Sequence, residues 1–244
     1  MTAFRGSLEA MSTIVLVPGA GLGGWVFSRI APALRAAGHD VHPLTLTGTG
    51  DRAHLRTPEI DVSLWATDVL AHLEAEELGE VVLVGHSFGA LPAMLAAARA
   101  PERIAHLVSL EGVPPVRGTS AFGAMGPEFE EVITGLVEAH DGWSLPWFTD
   151  EQLDTYYGDH GLTPGDLTWM RRHVTPQPIA TLREVVTIGP LDGMGRTYVS
   201  CDATPGAGRA PEGWEHATLP TGHWPMVSAP AATAALLAQV VASR

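Results

Sequence analysis

Residues 80–94 read EVVLVGHSFGALPAM, and this stretch decides the fold. Its first part, from Glu80 to Val84, is a short β-branched apolar run of the kind that forms a strand buried on both faces. The pattern G-x-S-x-G follows at residues 85–89, and an alanine-rich helix is predicted from Ala90 to Ala100. A strand, a tight turn and a helix in direct succession predict that the Ser87 hydroxyl stands clear of a sheet.

Ser87 is the candidate nucleophile. The glycines on either side leave room for its Cβ at a strained turn, and the helix behind it directs amides toward developing negative charge. A serine hydroxyl also needs a base, which we expect from a loop after the last strand. Residues 221–226 follow a strand predicted at His216 to Leu219 and precede the final helix, so His223 is the candidate base. The side chain of His86 is expected to diverge from Ser87 and to pack in the interior.

Strands and helices alternate outward from this stretch. Further strands are predicted at Thr13–Val17, Val41–Leu46, Ile104–Leu110 and Arg196–Ser200, and further helices at Trp25–Ala37, Asp61–Glu76 and Ala229–Ala242. This alternation predicts an α/β fold with a mostly parallel central sheet and helices on both faces. Prolines, glycines and aromatics break the rhythm over residues 114–190. We expect a core of residues 12–113 and 191–244, an insertion at 114–190 and an N-terminal extension at 1–11.

Composition excludes several classes of function. The 244 residues suit one domain, and a net charge of −13 offers no basic surface for nucleic acid. No signal peptide and no apolar run long enough for a membrane span is evident, so a cytoplasmic protein is expected. Cys201 is the only cysteine, which rules out an intrachain disulfide and a cysteine-based metal cluster. The expected partner is a small-molecule substrate, without nucleic acid, membrane or metal.

The loop LVPGAGLGGW at residues 16–25 contains G-x-G-x-x-G, the spacing of a dinucleotide site. Such a site needs a carboxylate near the end of the next strand, and the sequence there, Leu44 to Thr47, has none. We therefore expect no cofactor. The loop is predicted to approach the substrate instead, with the N–H groups of Ala20 and Phe88 forming an oxyanion hole.

These features together resemble the α/β-hydrolase superfamily, in its branch of small cytoplasmic esterases and hydroxynitrile lyases. The resemblance is carried by residues 13–55, 81–90, 101–115 and 219–237. It implies the α/β-hydrolase fold, a helical cap formed by the insertion, a triad of serine, histidine and acid, and no metal or organic cofactor. The chain departs from the family at Pro18, where a histidine is usual.

The resemblance leaves the third triad member open. Family members commonly place an aspartate after the penultimate strand, and alignment of that turn puts Gly206 at the position. Asp202 comes a few residues too early. Glu111 ends the strand that follows the helix after Ser87, and other hydrolase branches, haloalkane dehalogenases among them, carry the acid there. Glu111 is the preferred acid and Asp202 the alternative, with a structural role for both also open.

The resemblance also bears on the reaction. Hydroxynitrile lyases of this branch carry a lysine where this chain has Trp224, which argues against nitrile chemistry, and a serine nucleophile argues against dehalogenation. The pocket is predicted from residues of the glycine loop, the cap and the histidine loop: Gly19, Gly21, Phe122, Met125, Trp143, Trp147, Trp169 and Trp224. The cap aromatics have an alternative role as the cap's own core.

The favoured function is hydrolysis of a carboxylic ester, lactone or thioester of a small apolar or aromatic substrate through an acyl-enzyme. One alternative is a tailoring enzyme that uses the same triad for cyclisation, acyl transfer or carbon–carbon chemistry on a polyketide-type metabolite. The other is a non-catalytic binder of a small ligand. The sequence is compatible with a monomer or a homodimer.

Overall fold

The computed structural model describes residues 11–112, 117–205 and 208–243. Its strands are β1 (Thr13–Val17), β2 (Asp40–Pro43), β3 (Val81–His86), β4 (Ile104–Leu110), β5 (Arg117–Thr119), β6 (Ser144–Leu145), β7 (Gln177–Pro178), β8 (Val186–Thr187), β9 (Gly195–Cys201) and β10 (Glu215–Leu219). Its α-helices are α1 (Ala31–Ala36), α2 (Val62–Ala75), α3 (Ala90–Arg99), α4 (Ala121–Met125), α5 (Pro127–His140), α6 (Asp150–Tyr157), α7 (Pro164–Arg171), α8 (Ala180–Arg183), α9 (Pro225–Ser228) and α10 (Pro230–Ala242). Short 3-10 helices occupy Gly24–Phe27, Gly50–Leu55, Ser87–Gly89 and Pro101–Arg103.

Six strands form one sheet in the order β10-β9-β4-β3-β1-β2, and every neighbouring pair is parallel. Alternate residues of β1 enter opposite layers of the core: Val15 and Val17 pack on the side of α2 and α3, and Ile14 and Leu16 on the side of α1 and α10. Side chains that alternate in this way bury both faces of the sheet. The predicted α/β fold, with a mostly parallel central sheet and helices on both faces, is confirmed.

The first predicted helix is broken in two. The sequence predicts one continuous helix from Trp25 to Ala37, but the chain forms the 3-10 helix Gly24–Phe27 and then α1. Pro32 explains the break, because proline lacks an N–H and its ring clashes with the carbonyl four residues earlier, so it is tolerated only in a first turn. By contrast α2 follows the prediction closely, and the Asp61 carboxylate caps it by accepting the Leu64 amide at 2.7 Å.

Between β4 and β9 the described chain forms α4 to α8 and two short antiparallel pairs, β5 with β8 and β6 with β7. Several of its side chains reach the carboxyl ends of the parallel strands, where parallel sheets bind ligands. Three expectations fall outside the described residues: the cap boundary at residue 114, the N-terminal extension over 1–10, and Gly206. In the part of the chain that is described, no helix has both the length and the apolar character required to cross a membrane.

Candidate active site

Ser87 lies at a sterically strained turn of the backbone. Its φ is +50°, a left-handed conformation that residues other than glycine rarely adopt. The turn is also tightly packed, since a Cβ at Gly85 would lie 2.6 Å from the Ala90 Cα and one at Gly89 only 2.2 Å from the Pro18 carbonyl oxygen. Glycine is therefore required at both flanking positions, and this packing holds Ser87 at the carboxyl end of β3.

The glycine loop after β1 lies directly against this turn. A Cβ at Gly19 would be 2.9 Å from the Cβ of Ser87. The backbone can therefore approach the serine this closely only because Gly19 has no side chain. The next residue, Ala20, shares a cavity with Ser87, and its amide donates to no backbone acceptor within the described residues. Gly21 continues the loop with φ +67° and accepts the Thr175 amide at 2.9 Å, which ties the loop to the segment between β4 and β9.

His223 contacts Ser87 directly. Its Nε2 lies 2.8 Å from the Ser87 Oγ, and the residue is buried in the loop between β10 and α9. The ring of Tyr157, from α6, stacks on the imidazole with centroids 4.6 Å apart, and Trp224 packs edge-on against it at 5.0 Å. Aromatic contacts on the imidazole restrict its rotation, so the orientation toward Ser87 is set before any ligand binds.

Glu111 is the carboxylate that reaches His223. Its Oε2 lies 3.3 Å from the His223 Nδ1, its Oε1 accepts the Cys201 amide at 2.8 Å, and its own amide donates to the Val199 carbonyl at 2.7 Å. Asp202, the alternative acid, is exposed to solvent. Burial alone would raise the pKa of Glu111, but the hydrogen bonds from His223 and Cys201 and the charge of His223 together hold it below the usual value.

An ionised Glu111 determines the tautomer of His223. A carboxylate only accepts hydrogen bonds, so the Nδ1 that faces it must carry the proton. The Nε2 is then left with a lone pair directed at the Ser87 hydroxyl, which donates to it. The three side chains therefore form one chain of hydrogen bonds from carboxylate to hydroxyl.

His86 packs in the interior and also supports the site. Its Nε2 donates to the His223 main-chain carbonyl at 2.8 Å, which fixes the loop that carries the imidazole. Burial, with a smaller contribution from the neighbouring His223, lowers the pKa of His86 to about 3. The side chain is therefore neutral in the folded protein at any pH near neutrality.

This neutral histidine predicts a loss of stability in acid. Between a pKa of about 3 when folded and 6.5 when unfolded, the unfolded chain binds the extra proton, so stability falls as pH drops through this window. From pH 7 to pH 5, the wild type should lose about 2 kcal/mol more unfolding free energy than His86→Gln. Urea denaturation of both proteins at both pH values measures the difference.

The quantity compared between the wild type and His86→Gln is the change in unfolding free energy from pH 7 to pH 5. The absolute unfolding free energy is not compared, because the substitution itself alters it. His54→Gln, at an exposed position, is the control and should follow the wild type. An equal loss in the wild type and in His86→Gln would show that His86 does not carry this dependence.

A largely apolar cavity opens above Ser87. Three of the predicted pocket residues line it, namely Gly21, Trp147 and Trp224. The remaining wall comes from the glycine loop, the segment between β4 and β9 and the site itself: Ala20, Leu22, His86, Ser87, Leu145, Pro146, Phe148, Tyr157, Thr175, Gln177 and His223. Such a lining suits a small apolar ligand.

The other predicted pocket residues lie elsewhere, and their assignment is corrected. Phe122 is buried in the core beside Phe129, and Met125 is 54% exposed. Trp143 lies under the Arg56 guanidinium beside a separate surface groove.

Trp169 and Gly19 also lie outside the cavity wall. Trp169 packs edge-on against Trp25 and beneath Arg29, which also pairs with Asp166 at 2.6 Å. Gly19 packs against Ser87, but Ala20 and not Gly19 lines the cavity. Helix packing between β4 and β9 decides which aromatics face the cavity, and residue type alone does not indicate it.

Several lining residues were not predicted from the sequence, among them Tyr157 and Gln177. Tyr157 was one of several aromatics in an irregular region, and no periodicity distinguished it from Tyr156, which is exposed. Gln177 lies in the two-residue strand β7, which is too short to leave a pattern in the sequence. Burial raises the pKa of Tyr157 to about 12, aided by the charge of Glu111, so its phenol is neutral beside His223. Across the described residues, no group of three or more His, Cys, Asp or Glu side chains could hold a metal ion.

Known proteins resemble this chain in sequence and in fold. A sequence profile described as the alpha/beta hydrolase family matches residues 14–236. A carbendazim hydrolyzing esterase from Nocardioides sp. (strain SG-4G) is 33% identical over 242 residues, covering 90% of this chain and 96% of that protein. Salicylic acid-binding protein 2 of Nicotiana tabacum is 38% identical over 105 residues, covering 41% of this chain and 39% of the tobacco protein. Among solved structures, an extracellular α/β-hydrolase from a Paenibacillus species superposes with a TM-score of 0.83 at 18% identity, over 93% of this chain and 98% of that one.

Proposed function

Because the chain belongs to the α/β-hydrolase family, we propose that it is a serine esterase that hydrolyses small apolar or aromatic carboxylic esters, lactones or thioesters through an acyl-enzyme. The observation that carries the proposal is the His223 imidazole, which contacts the Ser87 hydroxyl at 2.8 Å and the Glu111 carboxylate at 3.3 Å. A hydroxyl, an imidazole and a carboxylate in series form the arrangement that activates serine in acyl transfer.

In the proposed mechanism, His223 Nε2 takes the hydroxyl proton as the Ser87 Oγ attacks the ester carbonyl. Glu111 stabilises the imidazolium that forms, and the amides of Ala20 and Phe88 stabilise the oxyanion. His223 then protonates the leaving alcohol, which departs from the acyl-enzyme. A water deprotonated by His223 releases the acid and restores Ser87. Every step is assigned to a residue of this chain and none requires a metal or an organic cofactor.

The oxyanion hole is the part of the proposal that depends most on backbone placement. The close approach of Gly19 to Ser87 supports it, because the next amide along the loop, that of Ala20, is then near the reacting hydroxyl. The Phe88 amide belongs to the turn that leads into α3, whose N-terminus adds positive dipole character.

Two measurements on the purified chain test the proposal. Turnover of p-nitrophenyl acetate and p-nitrophenyl butyrate reports ester hydrolysis, and a fluorophosphonate probe should label one serine per chain, identified as Ser87 by peptide mass spectrometry. Carbendazim, which the Nocardioides relative is named for hydrolysing, belongs in the same substrate panel.

Labelling at Ser87 without ester turnover would favour acyl transfer or carbon–carbon chemistry over hydrolysis. Absence of both would contradict an acyl-enzyme mechanism and favour a ligand-binding role. Labelling of a different serine would refute the assignment of the nucleophile.

A further inference from the structure

Gln177 lines the cavity above Ser87 and carries an unpaired polar atom. Its Oε1 is buried and has no hydrogen-bond partner in the described structure, although only 2% of the residue is exposed. Most of the surrounding wall is apolar, with Leu145, Phe148 and Trp224 among its members. A buried carbonyl without a donor is costly, and such groups in native proteins call for an explanation.

The orientation of the Gln177 amide follows from its neighbours. The Thr181 hydroxyl donates to the Pro178 carbonyl at 2.6 Å, so its only hydrogen is already used. The Gln177 atom at 2.7 Å from the Thr181 Oγ1 must therefore be the donor, which is the amide Nε2. The carbonyl oxygen Oε1 is consequently the atom left without a partner. A flipped amide would instead place Oε1 against the Thr181 Oγ1, with no hydrogen between the two acceptors.

The backbone around Gln177 is firmly held. Gln177 pairs with Leu145 across β6 and β7, and the adjacent Ser144 is fixed by its amide and hydroxyl, which donate to Asp141 at 2.7 and 2.6 Å. Two residues before Gln177, the Thr175 amide donates to Gly21 at 2.9 Å. The Gln177 backbone is thus fixed relative to the glycine loop that flanks Ser87, as a specificity contact requires.

We propose that Gln177 determines specificity by accepting a hydrogen bond from the substrate, so that the preferred esters carry an O–H or N–H donor on an otherwise apolar, flat group. The inference rests on the proposed esterase function and adds a substrate class to it. A site that hydrogen-bonds a substrate discriminates strongly against an analogue without the donor, because the buried acceptor is then left unpaired. The aromatic wall accounts for the flat apolar part of the preferred substrate.

Matched esters test this inference. The p-nitrophenyl esters of 3- and 4-hydroxyphenylacetic acid and of 3- and 4-aminophenylacetic acid each carry a donor, and the corresponding fluorophenylacetates have nearly the same shape without one. At least one donor ester should exceed its fluoro counterpart in kcat/KM by about 10- to 100-fold in the wild type. In Gln177→Met, which keeps the length of the side chain but removes the acceptor, this ratio should fall to near 1.

The ratio within each protein is the readout, so a general loss of activity does not imitate the effect. Gln239→Met, at an exposed position of α10, is the matched control and should keep the wild-type ratio. Gln177→Leu serves as a second variant if the methionine protein is poorly folded by circular dichroism. Hydroxy and amino esters separate an O–H from an N–H preference.

Two results would overturn the inference while leaving the esterase proposal intact: equal turnover of donor and fluoro esters in the wild type, or an unchanged ratio in both Gln177 variants. Failure of the wild type to hydrolyse any ester in the panel would instead count against the esterase function itself.

Discussion

Ser87→Ala is expected to lower kcat for p-nitrophenyl acetate by about 10⁴-fold or more and to abolish fluorophosphonate labelling. The substitution removes the atom that would form the covalent bond, so His223 and Glu111 have no hydroxyl left to activate. In serine hydrolases, loss of the nucleophile costs about as much as loss of the whole triad, and the small residual rate comes from the oxyanion hole and from binding.

The fold should survive this change. Alanine keeps the Cβ of serine and meets the same backbone strain at φ +50°, so circular dichroism and thermal unfolding should match the wild type closely. Ser28→Ala, at an exposed position, is the matched control and should retain full activity. Residual turnover above about 1% of the wild type in a folded Ser87→Ala protein, far more than loss of a nucleophile leaves, would refute the acyl-enzyme mechanism.

Backbone strain recurs at the site. Glu111 shares the φ of +50° seen at Ser87, and each residue directly follows a strand of the parallel sheet, β3 or β4. Two further glutamates with positive φ, Glu77 and Glu80, lie near the turn between α2 and β3, so strain alone does not mark function. What distinguishes Ser87 and Glu111 is that their strained turns direct both side chains at one imidazole, His223.

The sheet could be predicted from sequence because its signals are local. The observed β1 and β4 have the predicted bounds, since each is an apolar run bounded by turn residues that can hardly form anything else. The position of Ser87 follows in the same way from the glycines of its turn. The proximity of His223 to Ser87 also follows, because the carboxyl ends of parallel strands meet at one edge of the sheet.

The cavity wall could be predicted only in part because its signals are not local. Trp147 and Trp224 face the cavity, while Trp143 and Trp169 are held away from it by the Arg56 and Arg29 guanidinium groups. Those contacts join residues far apart in the sequence, and nothing in the spacing of the tryptophans encodes them. The free acceptor of Gln177 is equally invisible, since it depends on how its amide is turned.

Glu111→Gln should lower kcat by about 10²- to 10⁴-fold. The glutamine amide oxygen can still accept the Cys201 amide, which leaves the NH₂ group facing the His223 Nδ1. An NH₂ group only donates, so Nδ1 must give up its proton and Nε2 must carry it instead. In that tautomer Nε2 has no lone pair for the Ser87 hydroxyl, and the imidazolium also loses its counter-charge.

Asp202→Asn provides the decisive comparison, because Asp202 is the alternative acid that the sequence leaves open. Asp202 is exposed, and no contact joins it to His223 in the described structure. Its replacement should therefore leave kcat within about twofold of the wild type, as is usual for surface changes away from a site. Pre-steady-state assays with p-nitrophenyl acetate should show that Glu111→Gln slows both acylation and deacylation, because His223 is the base in both steps, while fluorophosphonate still labels Ser87 slowly. If Asp202→Asn were inactive and Glu111→Gln active, the acid would have to be reassigned to Asp202. Glu111 would then no longer explain why the His223 Nδ1 carries the proton.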